Sequence, residues 1–223
     1  MLKRLTWVVA LAAFGCTEAP SAGSKVLVMG DSLLAVNGLQ GQSVADGLER
    51  ELGLPVTDRS VLGAAFLYPL PISGAAGMRI SAQFVPGEWD WVVLNGGGND
   101  VLTRCGCAGP CGPVIERLIS ADGTRGVIPE QVARLRGAGA KVAFVGYLRS
   151  NGFASPVDKC GPTGDVLDAR LARMAAADPW VRFVPLADLV PEGDTSYYAS
   201  DRIHPSPKGS AAIAARIAAV IGR

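Results

Sequence analysis

The sequence predicts an α/β fold in which a parallel sheet carries helices on both faces. Five short apolar runs are spaced along the chain, and helical patterns lie between most of them. Short, continuously apolar strands are typical of a parallel sheet that is covered on both sides. The chain has 223 residues, of which 49% are hydrophobic and 18% charged, as expected of a globular protein. We expect one domain, residues 25–223, after an N-terminal segment of residues 1–24.

The predicted strands are runs in which apolar residues follow one another without regular polar alternation. In chain order, we place them at Lys25–Met29, Val56–Val61, Trp91–Leu94, Lys141–Gly146 and Arg182–Pro185. In parallel sheets ligands bind outside the carboxyl ends of the strands. The residues that follow each strand are therefore the first candidates for a functional site.

Helical periodicity occupies the stretches between and after these strands. The predicted helices are Gln42–Leu52, Ile128–Ala138, Asp165–Ala177 and Pro207–Ile221. In the first of them Val44, Leu48 and Leu52 recur every four residues and so share one face. The last begins at Pro207, and proline is well tolerated in the first turn of a helix.

The N-terminal segment has the pattern of an export signal. Lys3 and Arg4 precede an apolar run, Trp7–Phe14, that is too short to span a bilayer as a stable helix. The stretch LAAFGC resembles the lipobox of bacterial lipoproteins, which implies a lipid on Cys16 and attachment to a membrane. Cleavage beyond Cys16 and a first core element in this segment remain alternatives. We expect a protein of the bacterial periplasm, membrane-anchored through Cys16, or secreted if it is cleaved further along.

Four further cysteines predict disulfides, because an even number in an exported chain is typical of a disulfide framework. They are Cys105, Cys107, Cys111 and Cys160. Four cysteines allow three pairings, but a bond between Cys105 and Cys107 would close a very tight ring. We therefore expect Cys160 to pair into the loop between Cys105 and Cys111. A zinc site with four thiolates is the alternative.

The residues at the ends of the predicted strands bear polar and nucleophilic groups. Gly30-Asp31-Ser32 follows the first strand, Gly63 follows the second, and NGGGND, residues 95–100, follows the third. The stretch DRIHPS, residues 201–206, comes just before the last helix. These four places should meet at one edge of the sheet.

A serine hydroxyl becomes a nucleophile when a base removes its proton, and histidine is the usual base near neutral pH. The chain has a single histidine, His204, so it is the only candidate for activating Ser32. Asp201, three residues earlier, can orient the imidazole and stabilise its charged form. The oxyanion of a tetrahedral intermediate needs donors. We assign these to the Ser32 N–H, the Gly63 N–H and the Asn99 amide.

These four blocks together resemble the SGNH, or GDSL, hydrolase family. The resemblance rests on GDS at residues 30–32, the glycine at residue 63, GGND at residues 97–100 and DRIHPS at residues 201–206. It implies a three-layer α/β/α fold of flavodoxin-like type, with Ser32, His204 and Asp201 as triad and Ser32, Gly63 and Asn99 as oxyanion hole. It also implies an ester hydrolase that needs no cofactor.

Two assignments around these blocks have alternatives. Gly74 or Gly77 would take the place of Gly63 if the second strand lies elsewhere. The apolar loop Ala64–Met78 either forms an acyl-binding wall or a lid, or packs on the body of the domain. Asp31 and Asp100 are interpreted as structural acids that bind backbone groups around the two turns.

Other functional classes fit the sequence less well. The net charge is +1 and there is no basic run, so we expect no nucleic-acid partner. Neither G-x-S-x-G nor a P-loop is present, and one histidine excludes H-E-x-x-H. The remaining alternative to an esterase is a non-catalytic exported lipoprotein that binds a carbohydrate or a lipid in the same cleft. The expected substrate is a small ester or an acylated glycan or lipid, and the sequence does not predict an oligomeric state.

Overall fold

The computed structural model describes residues 21–107 and 109–222, and in them a five-stranded sheet lies between two layers of helices. All neighbouring strands are parallel, in the order β2-β1-β3-β4-β5. The strands are β1 (Val26–Met29), β2 (Val56–Asp58), β3 (Trp91–Asn95), β4 (Lys141–Val145) and β5 (Val181–Val184). This confirms the expected three-layer α/β/α fold. The proposed export signal, with Cys16, lies outside the described residues.

The helices of the described residues vary from three to sixteen residues in length. They are α1 (Ser32–Ala35), α2 (Val44–Leu52), α3 (Pro71–Ser73), α4 (Gly98–Cys105), α5 (Gly112–Leu118), α6 (Val127–Gly137), α7 (Gly161–Ala176) and α8 (Pro207–Ile221). In this part of the chain, none of them has the length and apolar character needed to cross a membrane.

The strand residues divide between two hydrophobic cores, one on each face of the sheet. Val26 and Val28 of β1 pack with residues of α1, α2 and α8. Leu27 and Met29 pack instead with residues of α5, α6 and α7. Successive side chains of a strand point to opposite faces, so a strand buried on both sides is apolar at every position. This is why the strands were recognisable from the sequence as continuous apolar runs.

Helices α2 and α8, on the first of these faces, lie very close together at one glycine. A Cβ on Gly47 of α2 would lie 2.5 Å from the Cβ of Ala214 in α8. Since that distance is a clash, any larger residue at position 47 would push the helices apart. The close packing holds α8, and with it the loop that precedes α8, against the start of the domain.

The sequence predicted the long helices better than the short ones. Strand β2 ends at Asp58 rather than Val61, and β5 is shifted by one residue towards the N-terminus. Helices α1, α3, α4 and α5 were not predicted. Helix α4 begins with Gly98-Asn99-Asp100, residues that favour turns, and its boundary residue Gly97 has a φ of 106°. Tertiary contacts, not local propensity, make this segment helical.

The carboxyl ends of β1 and β3 form the crevice at which a ligand is expected. From β1 the chain passes to β2 on one side, whereas from β3 it passes to β4 on the other. This reversal makes the β1–β3 boundary the topological switch point of the sheet. The turns that bear Ser32 and Asn99 follow these two strands and so meet there.

Candidate active site

Ser32 is the first residue of α1, directly after the turn that ends β1. Asp31 caps this short helix, because its Oδ1 accepts a hydrogen bond of 3.0 Å from the Leu33 N–H. Among the described residues, the Ser32 N–H has no acceptor. The cap thus presents both the hydroxyl and the N–H of Ser32 at the carboxyl end of the sheet.

His204 and Asp201 lie on the loop that leads into α8. Asp201 Oδ1 accepts hydrogen bonds from the Ile203 and His204 N–H groups, at 2.9 and 3.0 Å. Its other oxygen, Oδ2, lies 2.6 Å from His204 Nδ1. His204 Nε2 in turn lies 3.0 Å from Ser32 Oγ. The structure therefore brings together the three residues that the sequence selected, although Ser32 and His204 are 172 positions apart.

The carboxylate of Asp201 sets the tautomer in which the His204 imidazole can act as a base. Partial burial opposes ionisation of Asp201, but the hydrogen bonds from the His204 side chain and from two backbone N–H groups leave its pKa below the ordinary value. An ionised Asp201 holds the proton of His204 on Nδ1. The lone pair of Nε2 is then directed at the Ser32 hydroxyl.

Asn99 and Gly63 lie on neighbouring segments. Asn99 Nδ2 donates a hydrogen bond of 3.0 Å to the Ala64 carbonyl, which leaves its second amide hydrogen for another acceptor. Gly63 has a φ of 75°, and its N–H has no acceptor among the described residues. Of the alternatives, Gly74 already uses its N–H to bind the Leu70 carbonyl, and Gly77 is buried.

Two acids hold these turns, as the sequence analysis expected. Asp100 is fully buried and accepts hydrogen bonds from the Phe66 and Leu67 N–H groups, at 3.0 and 2.7 Å. Asp31 is 2% exposed, and burial raises its pKa to about 6. Burial also raises the pKa of Asp100, against the effect of its backbone hydrogen bonds.

Two further polar residues at the site were missed by the sequence analysis. Gln83 is fully buried and accepts from the Gly30 N–H at 2.7 Å, while its Nε2 donates to the carbonyls of Gly30 and Gly77. Tyr147 donates to Asp31 Oδ2 at 2.5 Å. Neither residue belongs to a motif, and the only available sequence signal was the position of Tyr147 just after the fourth strand.

A cleft of about 750 Å³ opens at Ser32, Asn99 and His204. Its apolar wall includes Val101, Leu102, Leu148, Val157 and the Cys107–Cys160 disulfide. No residue of the loop Ala64–Met78 lines it, so the loop is not a wall of this cleft. A second groove, of about 760 Å³, lies at the opposite end of the sheet, away from these groups.

Two disulfides fasten the rim of the cleft. Cys105 is bonded to Cys111, and Cys107 to Cys160. Cys160 thus pairs into the Cys105–Cys111 loop, as expected, and the second bond joins the end of α4 to the start of α7. With all four thiols oxidised, the alternative zinc site has no thiolate ligands.

Arg149 also lines the cleft, but its charge is compensated. Its guanidinium donates to Asp165 at 3.0 Å and to Asp168 at 2.8 Å, and its side chain is only 16% exposed. The ion pairs make it a fixed part of the cleft instead of a free cation for an acidic substrate.

Comparisons with known proteins identify the family and the fold of this chain. The family described as GDSL-like lipase/acylhydrolase matches residues 28–212. No curated protein matches the sequence. Among solved structures, the fold is similar to that of a protein of Slackia heliotrinireducens assigned to the SGNH hydrolases. That match has 24% identity and a TM-score of 0.55, and covers 87% of this chain and 96% of the other.

Two further structures share the fold at lower identity. A GDSL-like lipase from Bacteroides thetaiotaomicron is 20% identical with a TM-score of 0.59, over 88% of this chain and 87% of the other. A family two carbohydrate esterase from Clostridium thermocellum is 16% identical with a TM-score of 0.57, over 89% of this chain and 63% of the other. Because the family match spans most of the domain and the fold agrees, this chain belongs to the GDSL-like lipase/acylhydrolase family of hydrolases.

Proposed function

We propose that this protein hydrolyses carboxylic esters, with Ser32 as nucleophile, His204 as general base and Asp201 as the acid that orients the imidazole. The observation that carries the proposal is the hydrogen-bonded line from Asp201 Oδ2 through the imidazole to Ser32 Oγ, with steps of 2.6 and 3.0 Å. Both distances are within the range of a base in contact with its proton donor.

The first half of the reaction transfers the acyl group to the enzyme. His204 Nε2 takes the proton of Ser32 as Oγ attacks the carbonyl carbon of the ester. The imidazolium that forms is stabilised by the Asp201 carboxylate. It then gives its proton to the oxygen of the leaving alcohol, and the carbon–oxygen bond breaks. In the second half, water attacks the acyl-serine by the same roles and releases the carboxylic acid.

The negative charge on the tetrahedral intermediate needs fixed donors. We assign this role to the Ser32 N–H, the Gly63 N–H and the free hydrogen of the Asn99 amide. The two N–H groups have no acceptor within the described chain. The bond from Asn99 to the Ala64 carbonyl supports the assignment, since it ties the Asn99 turn to the residue after Gly63.

The cleft supports an ester larger than an acetate of a simple alcohol. Its volume of about 750 Å³ lies within the usual range for small-molecule sites. Esters of an acylated glycan or lipid are the substrates that we propose. The similar fold of a carbohydrate esterase is consistent with the first of these.

We further propose that the protein is exported and that Cys16 carries the lipid that would attach it to a membrane. Two disulfides in one small domain support an oxidising compartment. Palmitate labelling of the full chain beside Cys16→Ala tests this: label on the wild type alone is expected, and equal labelling would contradict it.

The decisive experiment measures hydrolysis of p-nitrophenyl esters, from acetate to long acyl chains, by the wild type and Ser32→Ala. Removing the nucleophile should lower kcat to within roughly 10³–10⁴-fold of the uncatalysed reaction. The matched control is Ser24→Ala, at the other end of β1, where the hydroxyl only binds the Val26 carbonyl. That variant should keep the wild-type rate.

A fluorophosphonate probe separates the remaining outcomes. Labelling of the wild type but not of Ser32→Ala establishes an activated serine even if the p-nitrophenyl esters are poor substrates. Equal hydrolysis by both proteins together with no labelling would overturn the proposal. It would favour the exported binding protein that uses the same cleft.

A further inference from the structure

A single hydroxyl lies between the two turns that bear Ser32 and Asn99. Tyr147 follows β4, and its Oη donates a hydrogen bond of 2.5 Å to Asp31 Oδ2. The same oxygen accepts a hydrogen bond of 2.9 Å from the Gly98 N–H. Its partners are thus the residues directly before Ser32 and directly before Asn99.

We propose that Tyr147 is a positioning residue that holds these two turns in register, so that the Ser32 N–H and the Asn99 amide point at one oxyanion. The inference rests on the proposed function, since it assigns a role within the same reaction. The ring of Tyr147 also lines the cleft, but its hydroxyl is bound to Asp31 and Gly98, and these two bonds fix the spacing between the nucleophile and the amide.

The surroundings of the hydroxyl fit this role. Burial and the neighbouring Asp31 carboxylate raise the pKa of Tyr147 well above its ordinary value, so the hydroxyl keeps the proton that it donates. A hydroxyl can donate once and accept at the same time, and both capacities are used here. A carboxylate acceptor makes the donated bond stronger than a neutral one.

Position 98 is shaped to admit the tyrosine ring. A Cβ on Gly98 would lie 2.7 Å from Tyr147 Cζ and 2.9 Å from Oη. The ring is held at its hydroxyl by two hydrogen bonds and cannot turn aside freely. Glycine at this position is therefore required for the close approach, which provides a second, independent way to disturb the contact.

The effect of losing the contact should appear in the transition state. The oxyanion exists only there, and a donor displaced by about 1 Å can cost about 100-fold in rate. Substrate binding in the ground state uses the walls of the cleft, which Tyr147→Phe leaves in place. We therefore expect kcat to fall about 10- to 100-fold while KM stays within threefold.

The experiment compares Tyr147→Phe with wild type on a p-nitrophenyl ester, with active sites counted by fluorophosphonate titration. A trifluoromethyl ketone, which adds to the serine and forms an oxyanion, should bind more weakly by the same factor as kcat/KM. The matched control is Tyr68→Phe, which also removes one phenolic hydrogen bond, that to Ser73 Oγ, in a loop that does not line the cleft. It should keep the wild-type kcat.

If Tyr147→Phe does not fold, Gly98→Ala serves as the second variant, and the same fall in kcat with little change in KM is expected of it. A kcat within threefold of wild type would overturn the inference. So would a lower kcat with unchanged affinity for the ketone, because the loss would then not involve the oxyanion. Absence of Ser32-dependent activity in the wild type would instead be a failure of the proposed function.

Discussion

Asp201 and His204 lie on an exposed loop that is held mainly by its own hydrogen bonds, whereas the turns of Ser32 and Asn99 are fastened by side chains buried beneath them. The Asp201 and His204 side chains are 45% and 33% exposed. Gln83 and Asp100, which hold the turns, are fully buried. The functional groups of the two halves meet at the contact of 3.0 Å between Ser32 Oγ and His204 Nε2.

Because of this difference in burial, the two halves should contribute differently to rate and to stability. In the exposed loop, Asp201 both fixes the loop through its hydrogen bonds and takes part in the proposed reaction, and the hydrophobic core does not depend on it. In the buried half, Gln83 and Asp100 do not line the cleft, and they leave buried backbone atoms unpaired if they are removed. A substitution in the first half should therefore affect rate, and one in the second should affect both rate and stability.

The largest effect is expected for Asp201→Asn. The new amide would present a donor to His204 Nδ1, so the imidazole would carry its proton on Nε2 and could not accept the proton of Ser32. We expect kcat on a p-nitrophenyl ester to fall by about 10³- to 10⁴-fold. The free energy of unfolding in urea should change by no more than about 0.5 kcal/mol, because the side chain is exposed.

Asp194→Asn is the matched control, since Asp194 also lies in an exposed loop before α8 and accepts hydrogen bonds from Ser196 and Lys208. Its kcat should stay at the wild-type value. A loss of less than tenfold for Asp201→Asn would show that Asp201 does not set the tautomer of His204. A large loss of stability would remove the contrast between the two halves.

Gln83→Leu should produce the largest change in stability. The substitution leaves the Gly30 N–H and the Gly77 carbonyl buried without a partner, while the Gly30 carbonyl keeps its bond from the Val61 N–H. Each orphaned group costs about 1–3 kcal/mol, so we expect a loss of about 3 kcal/mol in urea unfolding. The rate should fall too, because Gly30 precedes the nucleophile turn.

Gln131→Leu provides the comparison for this prediction. Gln131 is also buried, in α6, but its Nε2 has no hydrogen-bond partner in the described residues. Replacing it removes no bond from that nitrogen and should be neutral or slightly stabilising. If both glutamine variants lose the same stability, the effect reflects the change in side-chain shape and not the clamp on Gly30.

The exposed half could be predicted from the sequence because its contacts are local. Asp201 and His204 are three residues apart, and the single histidine left no other base. The strands were also predictable, since burial on both faces makes each of them continuously apolar. Ser32 was found because it follows a strand, in a position where such sheets bind ligands.

The buried half could not be predicted in the same way. Gln83 is 53 positions from Gly30, and Tyr147 is 116 positions from Asp31. Both separations are much longer than the spacings by which helices, strands and short motifs are recognised in a sequence. The helix that begins at Gly98 was hidden for a related reason, because contacts with Tyr147 and with residues 66 and 67 hold a segment whose own residues favour a turn.

The smallest effect is a pH dependence of stability that originates in Asp31. Burial raises the pKa of Asp31 to about 6, against an ordinary value of 3.8. Between these values the folded protein binds a proton that the unfolded chain has released, so stability falls as the pH rises from about 4 to about 6 and stays lower above that. Two pKa units correspond to about 3 kcal/mol, which is an upper bound for this group.

Asp31→Asn removes this titration, so the free energy of unfolding of the variant relative to wild type should increase between pH 4 and pH 7. Asp122→Asn is the control of opposite sign: hydrogen bonds from Ser120 and Thr124 lower the pKa of Asp122 to about 2. Its stabilising contribution is present above about pH 4 and lost towards pH 2. Urea unfolding measured from pH 2 to pH 7 distinguishes the two variants. Parallel curves of unfolding free energy against pH for wild type and Asp31→Asn would contradict the prediction. If Asp31→Asn is more stable at pH 7 and has a lower kcat, the buried Asp31 carboxylate destabilises the fold but supports the reaction at Ser32. The exposed Asp201 carboxylate carries no such net cost, because its hydrogen bonds outweigh its partial burial and lower its pKa.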